Sequence, residues 1–73
     1  MSTKQTIGDM DHFGGNLRAA RKRLGITQEE VARRSGVHVT EVSRIEAGKR
    51  DPKISTLERL AKAVEMEPGR LLD

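Results

Sequence analysis

Apolar side chains recur every three or four residues along most of this chain, which is the period of helices rather than of strands. Leu17 and Ala20 lie on one face of a first predicted helix, and the glycine pair at 14–15 leads into it. The residues before that pair are polar and show no such period. They predict a flexible tail over residues 1–13, followed by a folded domain over residues 14–73.

The next two predicted helices are short and are separated by Gly36. Thr27 and Glu30 have the spacing of a capping box, in which the hydroxyl and the carboxylate each accept a hydrogen bond from the other residue's backbone N–H. The second helix closes at Gly36, since glycine ends helices without steric cost. The third helix is predicted to run from near Val39 to Gly48.

A proline and a second capping box mark the start of the fourth predicted helix. Asp51 precedes Pro52 and therefore avoids the helical region, so the chain is extended there. Ser55 and Glu58 have the capping-box spacing and open the helix. Its apolar residues recur at helical spacing and predict its buried face: Leu57, Leu60, Ala61 and Val64.

Pro68 suits the first turn of a short fifth helix, which carries Leu71 and Leu72. These leucines belong either to the core or to the seam of a dimer. No stretch of useful length alternates apolar and polar residues, so strands are not predicted. The predicted class is all-α, with five helices in one domain.

The spacing around Gly36 is typical of a helix-turn-helix. Ala32 is small where two helices cross closely, and Gly36 adopts positive φ at no steric cost. Four apolar residues bury the helix pair against the rest of the core: Val31, Val37, Val42 and Ile45. The motif spans about 28–47. In this geometry the second helix, here about 39–47, lies in the major groove of DNA.

Positive charge is concentrated in the same middle region. The whole chain has a net charge of +3. Residues 14–53 hold ten Lys and Arg against five Asp and Glu, a balance of +5. A basic block in a folded region is typical of a protein that binds a polyanion, although a solvated charged surface has the same composition.

The composition and motifs of the chain exclude several other classes of function. With 34% hydrophobic residues and a single aromatic, Phe13, the core is small and aliphatic. Cysteine is absent, which excludes disulfides, thiolate metal sites and cysteine nucleophiles. No metal-ligand spacing, phosphate-binding glycine loop or nucleophile motif is present, so we predict neither a cofactor nor an enzyme. No apolar run suits a membrane span or a signal peptide, which favours a cytoplasmic protein without a membrane partner.

Two segments resemble the lambda repressor and Cro type of helix-turn-helix, also called the xenobiotic-response-element family. They are Leu24–Ala32, with the residues LGITQEEVA, and Ser43–Arg50, with SRIEAGKR. Pro52 and Thr56–Val64 are similar to the family's fourth helix and the residues before it. The resemblance covers about residues 15–72 and implies a compact five-helix, lambda-repressor-like fold.

The resemblance also implies roles for individual residues. Five of them match positions that face DNA bases: His38, Val39, Thr40, Ser43 and Arg44. Four match positions that contact DNA phosphates: Gln28, Lys49, Arg50 and Lys53. Arg21 and Glu46 resemble the family's partly buried ion pair. His38 stands where the family often has a Ser or Thr cap, and an imidazole is a poorer N-cap than either.

The predicted function is a sequence-specific regulator of transcription that binds double-stranded DNA as a homodimer on an inverted repeat. The alternative is a protein-interaction module, such as an antitoxin or a coactivator-like domain. For three residues an interpretation without a role in DNA binding stays open: Gln28 as a helix-forming residue, Arg44 as an exposed charge and His38 without any DNA contact. No small-molecule site is evident, and the chain is either a whole regulator or the DNA-binding part of a longer one.

Overall fold

The computed structural model describes the backbone of residues 4–72 and the side chains of residues 12–70. Over this range the chain forms helices and no strands, which confirms the predicted all-α class. The five helices are α1 (Lys4–Arg23), α2 (Gln28–Ser35), α3 (Val39–Glu46), α4 (Ile54–Ala63) and α5 (Pro68–Leu72). Helix α1 packs against α3 and α5, α2 packs against α3 and α4, and α4 packs against α5.

The first helix begins well before the position that the sequence predicts. It starts at Lys4, within the segment 1–13 for which the sequence predicts a flexible tail, and residues 1–3 lie outside the described residues. Part of the reason is Phe13, which is fully buried in the core. Phe13 lies one helical turn before Leu17, so the two side chains share the inner face of α1. The folded domain therefore extends to the N-terminal side of the predicted boundary.

Gly14 lies at a close approach of α1 to α3. A Cβ atom at this position would sit 2.1 Å from the carbonyl oxygen of Ile45, a distance at which one of the two backbones must move. Gly14 is therefore not a lead-in to the helix, as the sequence suggested, but the residue that lets α1 lie directly against α3. Gly15, its neighbour, has open space around the same atom.

The second and third helices form the predicted helix-turn-helix. The Thr27 hydroxyl caps α2 by accepting a hydrogen bond from the Glu30 backbone N–H at 3.0 Å. The Glu30 carboxylate accepts from Arg33 and Arg34 instead of from the start of the helix, so only half of the predicted capping box forms. These hydrogen bonds, the one from Arg33 first, lower the pKa of Glu30 to about 2. Gly36 has a φ of 77°, which confirms the predicted positive-φ turn.

The core has the composition that the sequence predicts, with Phe13 added. The predicted inward residues of α2, α3 and α4 lie in the core or pack against it: Val31, Ala32, Val37, Val42, Ile45, Leu57, Leu60, Ala61 and Val64. Helix α3 ends at Glu46, two residues before its predicted end at Gly48. Helix α5 begins at Pro68 as predicted, and the side chains of Leu71 and Leu72 lie outside the described ones.

The fourth helix starts two residues earlier than its predicted capping box. It begins at Ile54, and Lys53 occupies the N-cap without a side-chain hydrogen bond, so the predicted box of Ser55 and Glu58 does not open it. The Lys53 carbonyl already accepts from the Leu57 N–H at 2.8 Å, which closes the first turn. Pro52 is buried just before this start, and Lys53 is in the extended conformation that is usual for an N-cap residue.

Candidate nucleic-acid interface

The outer face of α3 carries exposed polar side chains. At about 100° per residue, Thr40, Ser43 and Arg44 lie opposite the buried Val42 and Ile45. All three are exposed, and among the described residues none of their side chains has a hydrogen bond or ion pair. Three of the residues predicted to face bases therefore form one free row along α3.

The other two predicted base-facing residues lie at the start of α3. His38 is the N-cap, and its Nδ1 accepts a hydrogen bond from the Thr40 backbone N–H at 3.2 Å. An imidazole thus takes the place of the usual hydroxyl cap, which leaves Nε2 as the ring atom for any DNA contact. Val39 is half-buried and lies beside the free row rather than within it.

The predicted ion pair between Arg21 and Glu46 is present and joins α1 to α3. The Arg21 Nε donates to Glu46 Oε2 at 2.8 Å, and Nη2 donates to Oε1 at 3.0 Å. The Glu46 side chain is only 3% exposed, so its charge is compensated inside the protein. Hydrogen bonding to this carboxylate raises the pKa of Arg21 above its ordinary value. Arg21 also donates to the Ile26 carbonyl at 3.0 Å, which holds the turn before α2.

Gln28 joins this cluster, and sequence reasoning missed the contact. Its Nε2 donates to Glu46 Oε1 at 3.0 Å, so three helices meet at one carboxylate. The amide nitrogen carries two hydrogens, and Glu46 takes one of them. Gln28 is therefore held in place by Glu46 with one N–H still available, which agrees with its predicted use on a phosphate without testing it.

A second glutamate of α3 holds Arg50, in the loop that follows α3. The Arg50 Nε donates to Glu41 Oε2 at 3.1 Å, and the Glu41 side chain is mostly buried beneath it. Nothing in the sequence pattern indicates this pair, because the two residues lie nine positions apart across a helix end. Lys49 and Lys53, the other predicted phosphate contacts of this loop, are exposed and have no ion-pair partner among the described residues.

Glu41 and Glu46 lie on opposite sides of the buried face of α3, which is formed by Val42 and Ile45. At about 100° per residue, the first lies on the flank of the Arg50 loop and the second on the flank of α1 and α2. Each holds hydrogen-bond donors beside the helix. The free row of α3 is therefore flanked by hydrogen-bond donors on both sides.

Other kinds of site are not found in the described part of the chain. Residues 12–70 contain no group of three His, Cys, Asp or Glu side chains that could hold a metal ion. No helix among the described residues is both long and apolar enough to cross a membrane. The strongest arrangement of functional groups is therefore the flanked face of α3.

Comparison with known proteins identifies a family for this chain. Residues 17–71 match the helix-turn-helix family. The chain is 43% identical over 58 residues to the HTH-type transcriptional repressor RghR of Bacillus subtilis, a match that covers 78% of this chain and 43% of RghR. It is 47% identical over 49 residues to the antitoxin HigA1 of Mycobacterium tuberculosis, a match that covers 67% of this chain and 33% of HigA1. The chain thus spans less than half the length of either protein.

A solved structure matches nearly end to end. The crystal structure of the restriction-modification controller protein C.AhdI from Aeromonas hydrophila is similar with a TM-score of 0.81 at 35% identity. The match covers 90% of this chain and 98% of C.AhdI. With the fold, the turn at Gly36 and the family match in agreement, the chain belongs to the Cro/C1-type helix-turn-helix family of transcriptional regulators.

Proposed function

We propose that this chain is a sequence-specific, non-enzymatic regulator of transcription that places α3 in the major groove of double-stranded DNA and binds as a homodimer to an inverted repeat. The observation that carries the proposal is the free row of Thr40, Ser43 and Arg44, flanked by donors on both sides. Polar side chains that have no partner within the protein are available to base edges, which offer donors and acceptors in the groove.

Arg44 is the main base-reading residue in this proposal. It is exposed at the C-terminal end of the free row, and its charge has no partner among the described residues. A guanidinium donates two parallel hydrogen bonds to guanine O6 and N7, a contact worth about 1–3 kcal/mol of discrimination. Thr40 and Val39 have methyl groups for contact with a thymine methyl, and His38 contributes through Nε2.

The flanking donors position the protein on the DNA backbone. Lys49 and Lys53 are uncompensated cations on one flank, together with Arg50 on its Glu41 support. Gln28 contributes an amide N–H on the other flank. Phosphate contacts fix the orientation of the helix in the groove and carry no sequence information themselves.

The small size of the reading surface supports the proposal of a dimer. Helix α3 has eight residues and is about 12 Å long, so one copy contacts only a few base pairs. Two copies on half-sites about 34–36 Å apart double this contact and match the symmetry of an inverted repeat. We expect sites selected from a random duplex pool at about 100 mM salt to contain such a repeat. Enrichment of single half-sites would contradict the dimer.

Arg44→Ala and Lys49→Ala separate base reading from backbone contact. We expect Arg44→Ala to weaken binding to the selected site by about 1–3 kcal/mol and to relax the preference at one base position. Lys49→Ala should weaken binding to all sequences similarly and reduce the salt dependence by about one unit. Fluorescence anisotropy on selected and scrambled duplexes measures both effects. Identical behaviour of the two variants would contradict the assignment of these roles.

Glu41→Gln tests the support of Arg50. The substitution removes the carboxylate that neutralises Arg50, so the guanidinium is free to contact a phosphate. We expect tighter binding to scrambled DNA, with the salt slope steeper by up to about one unit. Glu58→Gln, which changes the charge equally at an exposed position of α4, is the control. Weaker binding to scrambled DNA by Glu41→Gln would mean that the carboxylate aids the contact.

A second candidate is an interaction module, and the similarity to the antitoxin HigA1 favours it. Residues that anchor protein interfaces are enriched in aromatic side chains. The face around α3 has none, because the single aromatic residue, Phe13, is buried in the core. If the random pool yields no enriched site and binding stays near about 10⁻⁴–10⁻⁶ M, this second function is favoured.

A further inference from the structure

A surface cleft opens where α1, α2 and α3 meet. Its lining comprises Arg18, Arg21, Gln28, Ser43, Glu46 and Ala47. It lies on the flank of α3 opposite the Arg50 loop, and Ser43 of the free row forms part of its rim. The cleft therefore borders the proposed DNA-binding face and shares only Ser43 with the free row.

The charge in this cleft comes from Arg18. Arg21 also lines it, but the Glu46 carboxylate compensates Arg21 through two hydrogen bonds. Arg18 is exposed, and among the described residues it has no hydrogen bond or ion pair. The cleft thus holds one uncompensated positive charge, next to the neutral donors of Gln28 and Ser43. A phosphodiester, with one negative charge and two free oxygens, matches this donor set.

The packing of α1 explains why Arg18 lies at this position. Gly14, Arg18 and Arg21 follow one another at i, i+4 and i+7, which puts them on the same face of α1. Gly14 touches the backbone of α3, and Arg21 binds Glu46 of α3. Arg18 lies between Gly14 and Arg21 on α1, so these two contacts with α3 hold it at the edge of α3.

We propose that this cleft binds a phosphate of the DNA backbone, with Arg18 supplying the charge and Gln28 and Ser43 supplying neutral hydrogen bonds. The inference rests on the proposed function, since it needs α3 in the major groove. It adds Arg18, which has no assigned role, and gives Ser43, at the edge of the free row, a contact with the backbone. The two backbones that border the groove are then held from both flanks of α3, one by the cleft and one by the Arg50 loop.

Arg18→Ala, with Arg23→Ala as the matched control, tests the proposal. Arg23 is an exposed arginine on the same helix, but it lies on the α5 flank beside Met66. We expect Arg18→Ala to reduce the slope of log K against log salt by about 0.9 per protomer and to weaken binding at 100 mM salt by about fivefold to tenfold. The loss should be equal for selected and scrambled duplexes. Arg23→Ala should leave slope and affinity unchanged, and thermal melting should show both variants folded.

A single neutral methylphosphonate, moved along the selected duplex, identifies the phosphate. At one position of each half-site, the methylphosphonate should weaken binding by the wild-type protein. At the same position it should leave the affinity of the Arg18→Ala variant unchanged. Equal effects of the Arg18 and Arg23 substitutions would overturn the assignment of the cleft while leaving the proposed function intact. A changed base preference in Arg18→Ala would overturn it too, since that outcome indicates base reading. Absence of salt-dependent binding by the wild-type protein would overturn the proposed function, and the cleft assignment with it.

Discussion

Replacement of Phe13 by alanine is expected to remove most of the stability of this domain. Phe13 is fully buried and is the largest side chain of the core. Truncation of a buried phenylalanine to alanine costs about 3–5 kcal/mol, because apolar contacts are lost and a cavity remains. A single core of this size rarely leaves more than about 3–5 kcal/mol of net stability. The variant should therefore be largely unfolded at 25 °C.

Urea denaturation followed by circular dichroism at 222 nm measures this loss. His12→Ala is the control, because His12 is the exposed neighbour of Phe13 on the same helix. It should unfold at the wild-type urea concentration. If Phe13→Ala also unfolded there, Phe13 would belong to a tail, as the hydrophobic pattern alone suggested, and not to the core.

Substitution of the two adjacent glycines by alanine should have opposite effects. At Gly14 the added Cβ would lie 2.1 Å from the Ile45 carbonyl oxygen, so α1 and α3 must separate. Overpacking of this kind costs about 1–3 kcal/mol. At Gly15 nothing lies within 4 Å, and alanine in the middle of a helix is about 0.5–1 kcal/mol better than glycine. We expect Gly14→Ala to lower the melting temperature and Gly15→Ala to raise it slightly.

The glycine pair also links stability to DNA binding. Separation of α1 from α3 carries Arg21 away from Glu46 and Arg18 away from the edge of the proposed interface. The fraction of Gly14→Ala that remains folded should bind DNA more weakly than the wild type, with a shallower salt dependence. Wild-type affinity and slope in the folded fraction would contradict this coupling.

Features that depend on neighbouring residues could be predicted from the sequence. The Thr27 cap and the positive φ of Gly36 are local, because one hydroxyl or one missing Cβ decides them. The inner faces of α2, α3 and α4 follow from helical periodicity. The Arg21–Glu46 pair came from the family resemblance, since nothing local relates residues 25 positions apart. The helix-turn-helix, and with it the family, could therefore be predicted from the sequence.

Only the tertiary structure decided which residues meet across helices. Phe13 is isolated in a polar segment, so its burial depends on the space that the other helices leave for it. The role of Gly14 depends on the nearby carbonyl oxygen of Ile45 in α3. Gln28 meets its partner, the Glu46 carboxylate, only because the two ends of the motif lie close together in the fold. The Glu41–Arg50 pair needs the chain to turn back after α3. Periodicity and caps act over one or two helical turns, whereas contacts between helices depend on how those helices are oriented. The sequence therefore determined the number, order and inner faces of the helices, and the packing determined where α1 and α4 begin and which side chains meet at the interface.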